Sequence, residues 1–189
     1  MKDRLREALA GYAPQPVEPD PALWPAAVLV LIYEHEGRPH IVFQKRTDKV
    51  DTHKGQISFP GGGSDPGDLD LTFTALRETH EEIGVHPDHV HVLGELDQIK
   101  TISNFIVTPY VGWLASYPYE WAFSHDEVSY LLEVPIDHLL DEANYVPDRR
   151  LINGREVVMP SWRFEEDLIW GATARMLQNF LDIWATLER

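Results

Sequence analysis

Apolar and polar positions divide the chain into strand-length apolar runs, two helical stripes and one proline-rich stretch. Residues 1–10 place Leu5, Ala8 and Leu9 on one face of a short amphipathic helix. Pro14, Pro16, Pro19, Pro21 and Pro25 follow and must run extended, because proline donates no backbone hydrogen bond. That stretch reads as an arm over the domain surface or as a plain linker. Ala26–Tyr33 is an apolar run, Glu34 to Arg38 has the make-up of a hairpin turn, and His40–Gln44 returns as a second strand. Val90–Leu96, Phe105–Leu114 and Tyr130–Val134 are further strand candidates. One helix is expected over Leu71–Ile83, stopped by Gly84, a residue suited to a helix C-terminus. Another is expected over about Leu168–Leu187, with Ile169, Trp170, Thr173, Met176, Leu177, Phe180, Leu181 and Trp184 on its apolar face. The pattern predicts a mixed sheet with helices on its faces, one α+β domain over 26–189, preceded by the helix and arm of 1–25.

The segment Arg77-Glu78-Thr79-His80-Glu81-Glu82-Ile83-Gly84-Val85 lies on the first of these helices. Glu78, Glu81 and Glu82 are spaced i, i+3 and i+4, so three carboxylates project from one face. A bare triplet of this kind is most often a solvated acidic face. Its setting changes that reading. Phe59-Pro60-Gly61-Gly62-Gly63 lies just upstream, where glycines let the backbone approach a phosphate or a metal. A hard divalent cation would relieve the crowding of charge, and oxygen ligands without sulfur or imidazole suit Mg²⁺ or Mn²⁺.

Gly63 to Val85 resembles the signature of the Nudix family: a glycine, five residues, a glutamate, seven residues, then R-E-U-x-E-E-x-G-U with U apolar. Gly63, Arg77, Glu78, Glu81, Glu82, Gly84 and Val85 fall on it. Leu69 stands where the first glutamate is expected, flanked by Asp68 and Asp70, either of which can supply the carboxylate; Thr79 stands at an apolar position. Upstream, Arg46-Thr47 and His53-Lys54-Gly55-Gln56-Ile57-Ser58-Phe59-Pro60-Gly61-Gly62 resemble the extra motif of the coenzyme A diphosphatase branch. Val42-Phe43-Gln44 departs from the Leu-Leu-Thr usual there, and Asp51 stands in place of an arginine. Ile169 to Arg175 is similar to that branch's closing helix. The resemblance implies a Nudix fold, a mixed β-sheet sandwiched between helices. It also implies metal-dependent hydrolysis of coenzyme A to 3′,5′-adenosine bisphosphate and 4′-phosphopantetheine. Glu78, Glu81 and Glu82 would hold the metal, with Arg77 beside them. Arg46, His53, Lys54, Gly55, Gln56, Phe59, Pro60, Gly61, Gly62 and Gly63 would meet the substrate.

Charge sharpens the problem such a substrate poses. Of 189 residues, 31 are acidic and 16 basic, a formal charge of −15, which repels nucleic acid and small phosphates alike. A phosphorylated substrate therefore needs a metal or a local basic patch. Between Lys45 and Lys54, Lys45, Arg46, Lys49 and Lys54 outnumber two aspartates, with His53 among them, and supply a candidate patch. Cleaving a diphosphate also needs a base near an in-line water. A box glutamate can serve, or Glu127 just before the strand at Tyr130; the alternative for Glu127 is a solvated loop acid.

Other chemistry is thinly supported. The chain has no cysteine, so disulfides, thiolate metal sites and a cysteine nucleophile are excluded. His80 has no partner histidine at i+4, and no zinc-type spacing emerges. One aromatic between Tyr117 and Phe123 is a candidate cover for adenine or pantetheine. No apolar run approaches the roughly 18 residues of a membrane helix, and the N-terminus lacks a signal-like apolar core, so a cytoplasmic location is expected. The arm and terminal helices are candidates for a homodimer interface. Rival readings are a Nudix hydrolase of ADP-ribose, a dinucleoside polyphosphate or a nucleoside triphosphate, and an idle nucleotide-binding Nudix domain.

Overall fold

The computed structural model describes residues 1–49, 54–152 and 154–187. In chain order the elements are α1 (Lys2–Ala10), β1 (Trp24–His35), β2 (Arg38–Arg46), β3 (Ile57–Ser58), β4 (Gly61–Gly63), α2 (Leu71–Ile83), β5 (Val90–Glu95), β6 (Ile99–Lys100), β7 (Phe105–Leu114) and β8 (Val128–Pro135). They continue with α3 (Ile136–Leu140), β9 (Asp148–Ile152), β10 (Arg155–Met159), β11 (Trp162–Phe164), β12 (Asp167–Ile169) and α4 (Gly171–Trp184).

The main sheet runs β3-β2-β1-β7-β5, with β4 also paired to β1, β6 to β7 and β8 to β2. β1 and β7 are parallel, whereas β1 and β2 form an antiparallel hairpin, so the sheet is mixed. The hairpin closes through Glu36 and Gly37, both at positive φ, which matches the strand twist in a two-residue turn. Alternation along β1 sorts its side chains between two layers. Ala27, Leu29 and Leu31 meet Ala75 and Ile83 of α2, while Val30 and Ile32 share a core with Leu5 and Leu9 of α1 and with Leu177, Phe180 and Trp184 of α4. The sheet thus lies between α2 on one face and α1 with α4 on the other.

The proline-rich stretch is docked on the domain. Gln15 N–H donates to Asp97 Oδ1 and Val17 N–H to Gln98 Oε1, and Gln98 N–H returns a bond to Gln15 O. The last helix begins later than the apolar stripe suggests. Leu168 and Ile169 belong to β12, paired with β11, and the helix starts at Gly171 after an extended Trp170. No helix among the described residues is long and apolar enough to cross a membrane.

Candidate active site

Helix α2 carries the acidic face, and its ends are fixed by its own sequence. The Asp70 carboxylate caps the N-terminus by accepting from Phe73 N–H at 2.7 Å. Gly84 ends the helix at φ 77°, its N–H donating to His80 O; a Cβ there would strike Ala122 at 2.8 Å. Thr79, at the position where the signature has an apolar residue, is fully buried, and its hydroxyl donates to Ala75 O four residues back.

The three glutamates are not equivalent. Glu82 is 2% exposed and accepts three hydrogen bonds: from Gln44 Nε2 at 2.7 Å, from Gly61 N at 2.8 Å and from Arg46 Nη1 at 3.2 Å. Burial pushes its pKa up to about 7, opposed by the Gly61, Gln44 and Arg46 contacts and reinforced by the charge of Glu78. Glu78 is partly buried over Gly62, where an added Cβ would lie 2.5 Å from the Glu78 carboxyl carbon. Its pKa is also raised, first by burial, with Arg77 acting against the shift and the charges of Glu81 and Glu127 adding to it. Glu81 is exposed at the rim. Arg77 Nη1 bridges the two, at 2.8 Å from Glu78 and 3.1 Å from Glu81.

Arg77 also fastens the glycine loop to the helix. Nη2 donates to Gly63 O at 3.1 Å, and Nε and Nη2 each reach an oxygen of Asp68 at 2.9 Å. Of the two aspartates beside Leu69, Asp68 therefore supplies the carboxylate facing the box arginine, while Asp70 is the helix cap. Leu69 itself is exposed.

Glu127 approaches from a separate segment. Ala122 N–H and Ser124 N–H bond to the carbonyls of Ile83 and Glu82 at the end of α2. Thr47 then anchors the segment, its N–H donating to Glu127 O and its hydroxyl to Asp126 O. The Glu127 side chain is exposed, with its charge acting on Glu78.

Among the described residues no three acids or histidines form a ready-made metal cage. The donor set nonetheless fits a hard divalent cation, since Glu78, Glu81 and Glu82 offer only oxygen and their charges repel without one. No imidazole or sulfur ligand is needed.

The residues that the resemblance places against the substrate are engaged within the fold as follows. Lys45, Arg46 and Lys49 do not form a free basic patch: they pair with Asp167, Glu82 and Asp126. His53 lies outside the described residues, and Lys54 is exposed. Gly55, at φ 64°, and the Gln56 carbonyl bond back to the Arg46 backbone. Phe59 is buried and stacks on Phe43 at 4.8 Å, and Pro60 O accepts from Leu29 N, so both shape the loop from within. The aromatics from Tyr117 to Phe123 are partly buried against the sheet. Tyr117 stacks on Tyr33 at 4.2 Å, and Tyr119, Trp121 and Phe123 pack against the α2 side of the sheet. Gln44 is the site residue that spacing did not single out. Its signal was a polar residue inside an apolar strand, two positions before Arg46 and so on the same face.

Residues 23–153 match the NUDIX domain. The chain belongs to the Nudix family. It is 37% identical over 155 residues to an uncharacterized Nudix hydrolase, NudL, of Pectobacterium atrosepticum, covering 82% of this chain and 79% of that one. It is 38% identical over 158 residues to the NudL of Yersinia pestis strain Pestoides F, covering 82% and 76%. The fold is similar to a MutT/nudix family protein from Enterococcus faecalis, with a TM-score of 0.59 at 12% identity over 98% of this chain and 73% of that one. It is also similar to a C. elegans Ap4A hydrolase, with a TM-score of 0.52 at 20% identity over 66% and 88%. These two likenesses are of fold alone. As a Nudix hydrolase, the protein acts on a nucleoside diphosphate derivative, and enzymes of this family generally use divalent metal ions.

Proposed function

We propose that this Nudix hydrolase cleaves the diphosphate of coenzyme A or its derivatives to 3′,5′-adenosine bisphosphate and 4′-phosphopantetheine, with Mg²⁺ or Mn²⁺ on Glu78, Glu81 and Glu82. One observation carries the reading. The segment that resembles the coenzyme A branch touches the Nudix box directly, since Arg46 Nη1 and Gly61 N–H both donate to Glu82. A bound cation would neutralise charge on the diphosphate oxygens and acidify a coordinated water. The chain's own residues do the rest. Arg77 holds Glu78 and Glu81 in register, and the absence of a side chain on Gly62 lets the Glu78 carboxylate lie against the glycine loop. Glu127, whose charge acts on Glu78, is the group we assign to take the proton of the attacking water. Arg46, Lys54, Gly55 and Gln56 would border the nucleotide, with Phe59 and Pro60 fixing the loop that follows them, and the resemblance assigns His53 to the same role.

The test is product analysis with Mg²⁺ or Mn²⁺ and coenzyme A, ADP-ribose, a dinucleoside polyphosphate and nucleoside triphosphates in parallel, with Glu82→Gln as the control. Release of 3′,5′-adenosine bisphosphate that outpaces the other products and is absent from the control is expected. A second reading has its own support. The ion pairs of Lys45, Arg46 and Lys49 leave less free positive charge for a 3′-phosphate, which favours ADP-ribose or a dinucleoside polyphosphate. Preferential cleavage of either would replace coenzyme A in the assignment, and no cleavage at all would favour the idle binding domain.

A further inference from the structure

Glu82 is the most enclosed acid of the box, and most of its lone pairs are already engaged. Oε2 accepts from both Gln44 Nε2 and Gly61 N–H, and Oε1 accepts from Arg46 Nη1. A carboxylate has about four lone-pair directions, so one direction is left, on Oε1. Gln44 is 0% exposed and sits on the same face of β2 as Arg46. Its amide orientation is set by Glu82, because an ionised carboxylate only accepts and Nε2 must face it.

The other end of that amide is unusual. Gln44 Oε1 is buried without a hydrogen-bond partner among the described residues. Ser58 Oγ, directly across the β2–β3 pair from Gln44, is in the same state, as is Arg46 Nε. A glutamine kept only for its volume would leave a buried oxygen unsatisfied for no return, where an apolar residue of equal size would not. The residue is explained by what its Nε2 holds.

We propose that Gln44 is a positioning residue that fixes Glu82 so that the carboxylate offers Oε1 alone to a divalent cation, while Oε2 stays committed to the protein. The inference rests on the reading above that Glu82 is a metal ligand.

The test is a double-mutant cycle read by binding of Mn²⁺ alone, using calorimetry or electron paramagnetic resonance. Its members are wild type, Gln44→Met, Glu82→Gln and the double variant. Gln44→Met keeps the length and drops the amide. It is expected to weaken Mn²⁺ binding by about tenfold to a hundredfold, the range for groups that orient a metal ligand. Cooperative unfolding should be retained, and the substitution should have no further effect in the Glu82→Gln background. If Gln44→Met does not fold, Gln44→Asn draws the amide back by one methylene and serves the same cycle. Unchanged Mn²⁺ affinity, an equal loss in both backgrounds, or no Glu82-dependent Mn²⁺ binding by the wild-type chain would each overturn the proposal. Wild-type protein that binds Mn²⁺ through Glu82 yet cleaves no coenzyme A would sink the substrate reading and leave Gln44 to be decided by the cycle.

Discussion

The guanidinium of Arg77 grips the carboxylate of Asp68 with two parallel hydrogen bonds of 2.9 Å, tying the glycine loop to the acidic helix. Asp68 is also held by Asp65 N–H and by the Thr74 hydroxyl, and its side chain is 3% exposed. Such a bidentate pair has fixed geometry as well as strength. It keeps Arg77 aimed at Glu78 and Glu81.

Asp68 and Asp70 flank the same leucine, yet their substitutions should differ in kind. Asp68→Asn breaks an enclosed ion pair and is expected to cost roughly 3 kcal/mol, with reduced turnover as Arg77 loses its bidentate anchor. Asp70→Ala removes only a helix cap and should cost about 1 kcal/mol with turnover kept. Urea unfolding and a turnover assay on both variants check the contrast; equal effects would mean that Asp68 has no special part.

The same pair predicts the acid side of the stability profile. The Arg77 guanidinium beside Asp68 holds its carboxyl far below the usual aspartate range. A depressed carboxylate contributes stability that is fully present above the unfolded value, about 3.9, and is lost as pH falls toward the folded value. Melting temperatures below about pH 4 should therefore fall more steeply for wild type than for Asp68→Asn. Parallel curves would show that the pair does not set this limb.

Gly62 and Gly63 are neighbours with opposite tolerance. A Cβ on Gly62 would lie 2.5–2.7 Å from the Glu78 carboxyl atoms, whereas one on Gly63 would meet Phe105 Cε1 at an ordinary 3.7 Å. Gly62→Ala should displace Glu78 and lower kcat by about a hundredfold, the scale of a misplaced catalytic group. Gly63→Ala should be close to wild type. Steady-state kinetics on the two variants gives the answer, and a fully active Gly62→Ala would remove Glu78 from the site.

Lys45 should matter to stability rather than to substrate. Its Nζ lies 2.6 Å from Asp167 Oδ1, and the other oxygen of Asp167 accepts from Tyr130 OH at 2.7 Å, joining β12 to β2 and β8. Lys45→Met leaves the Asp167 charge enclosed and is expected to cost about 3 kcal/mol. KM should change little. A large rise in KM with unchanged melting would restore Lys45 to the substrate side.

Helix α2 is legible in the sequence because its punctuation is local: Asp70 caps it, Gly84 ends it, and the glutamate spacing puts three acids on one face. Which glutamate is buried was not legible. Glu82 turns inward with Ala75, Thr79 and Ile83 only because β1, β2 and β4 lie beneath that side. The partners of the basic residues were hidden for a similar reason, since Lys45 and Asp167 are 122 positions apart and meet through a strand pair that no periodicity announces. β3 and β4 span two and three residues, too short for alternation, and exist because β2 and β1 offer them free edges. β12 merges into the last helical stripe in the sequence because Leu168 and Ile169 suit either element, and pairing with β11 decides between them.

The segment from Ala122 to Glu127 is tied at both ends, to the α2 carbonyls through Ala122 and Ser124 and to Thr47 through Asp126 and Glu127. Its length is thereby set by the fold. An inserted residue between Ser124 and Glu127 would shift the acid away from Glu78, on which its charge acts. Divergence of specificity in this lineage should therefore proceed at that segment by exchange of side chains at constant length, with insertions and deletions accumulating elsewhere.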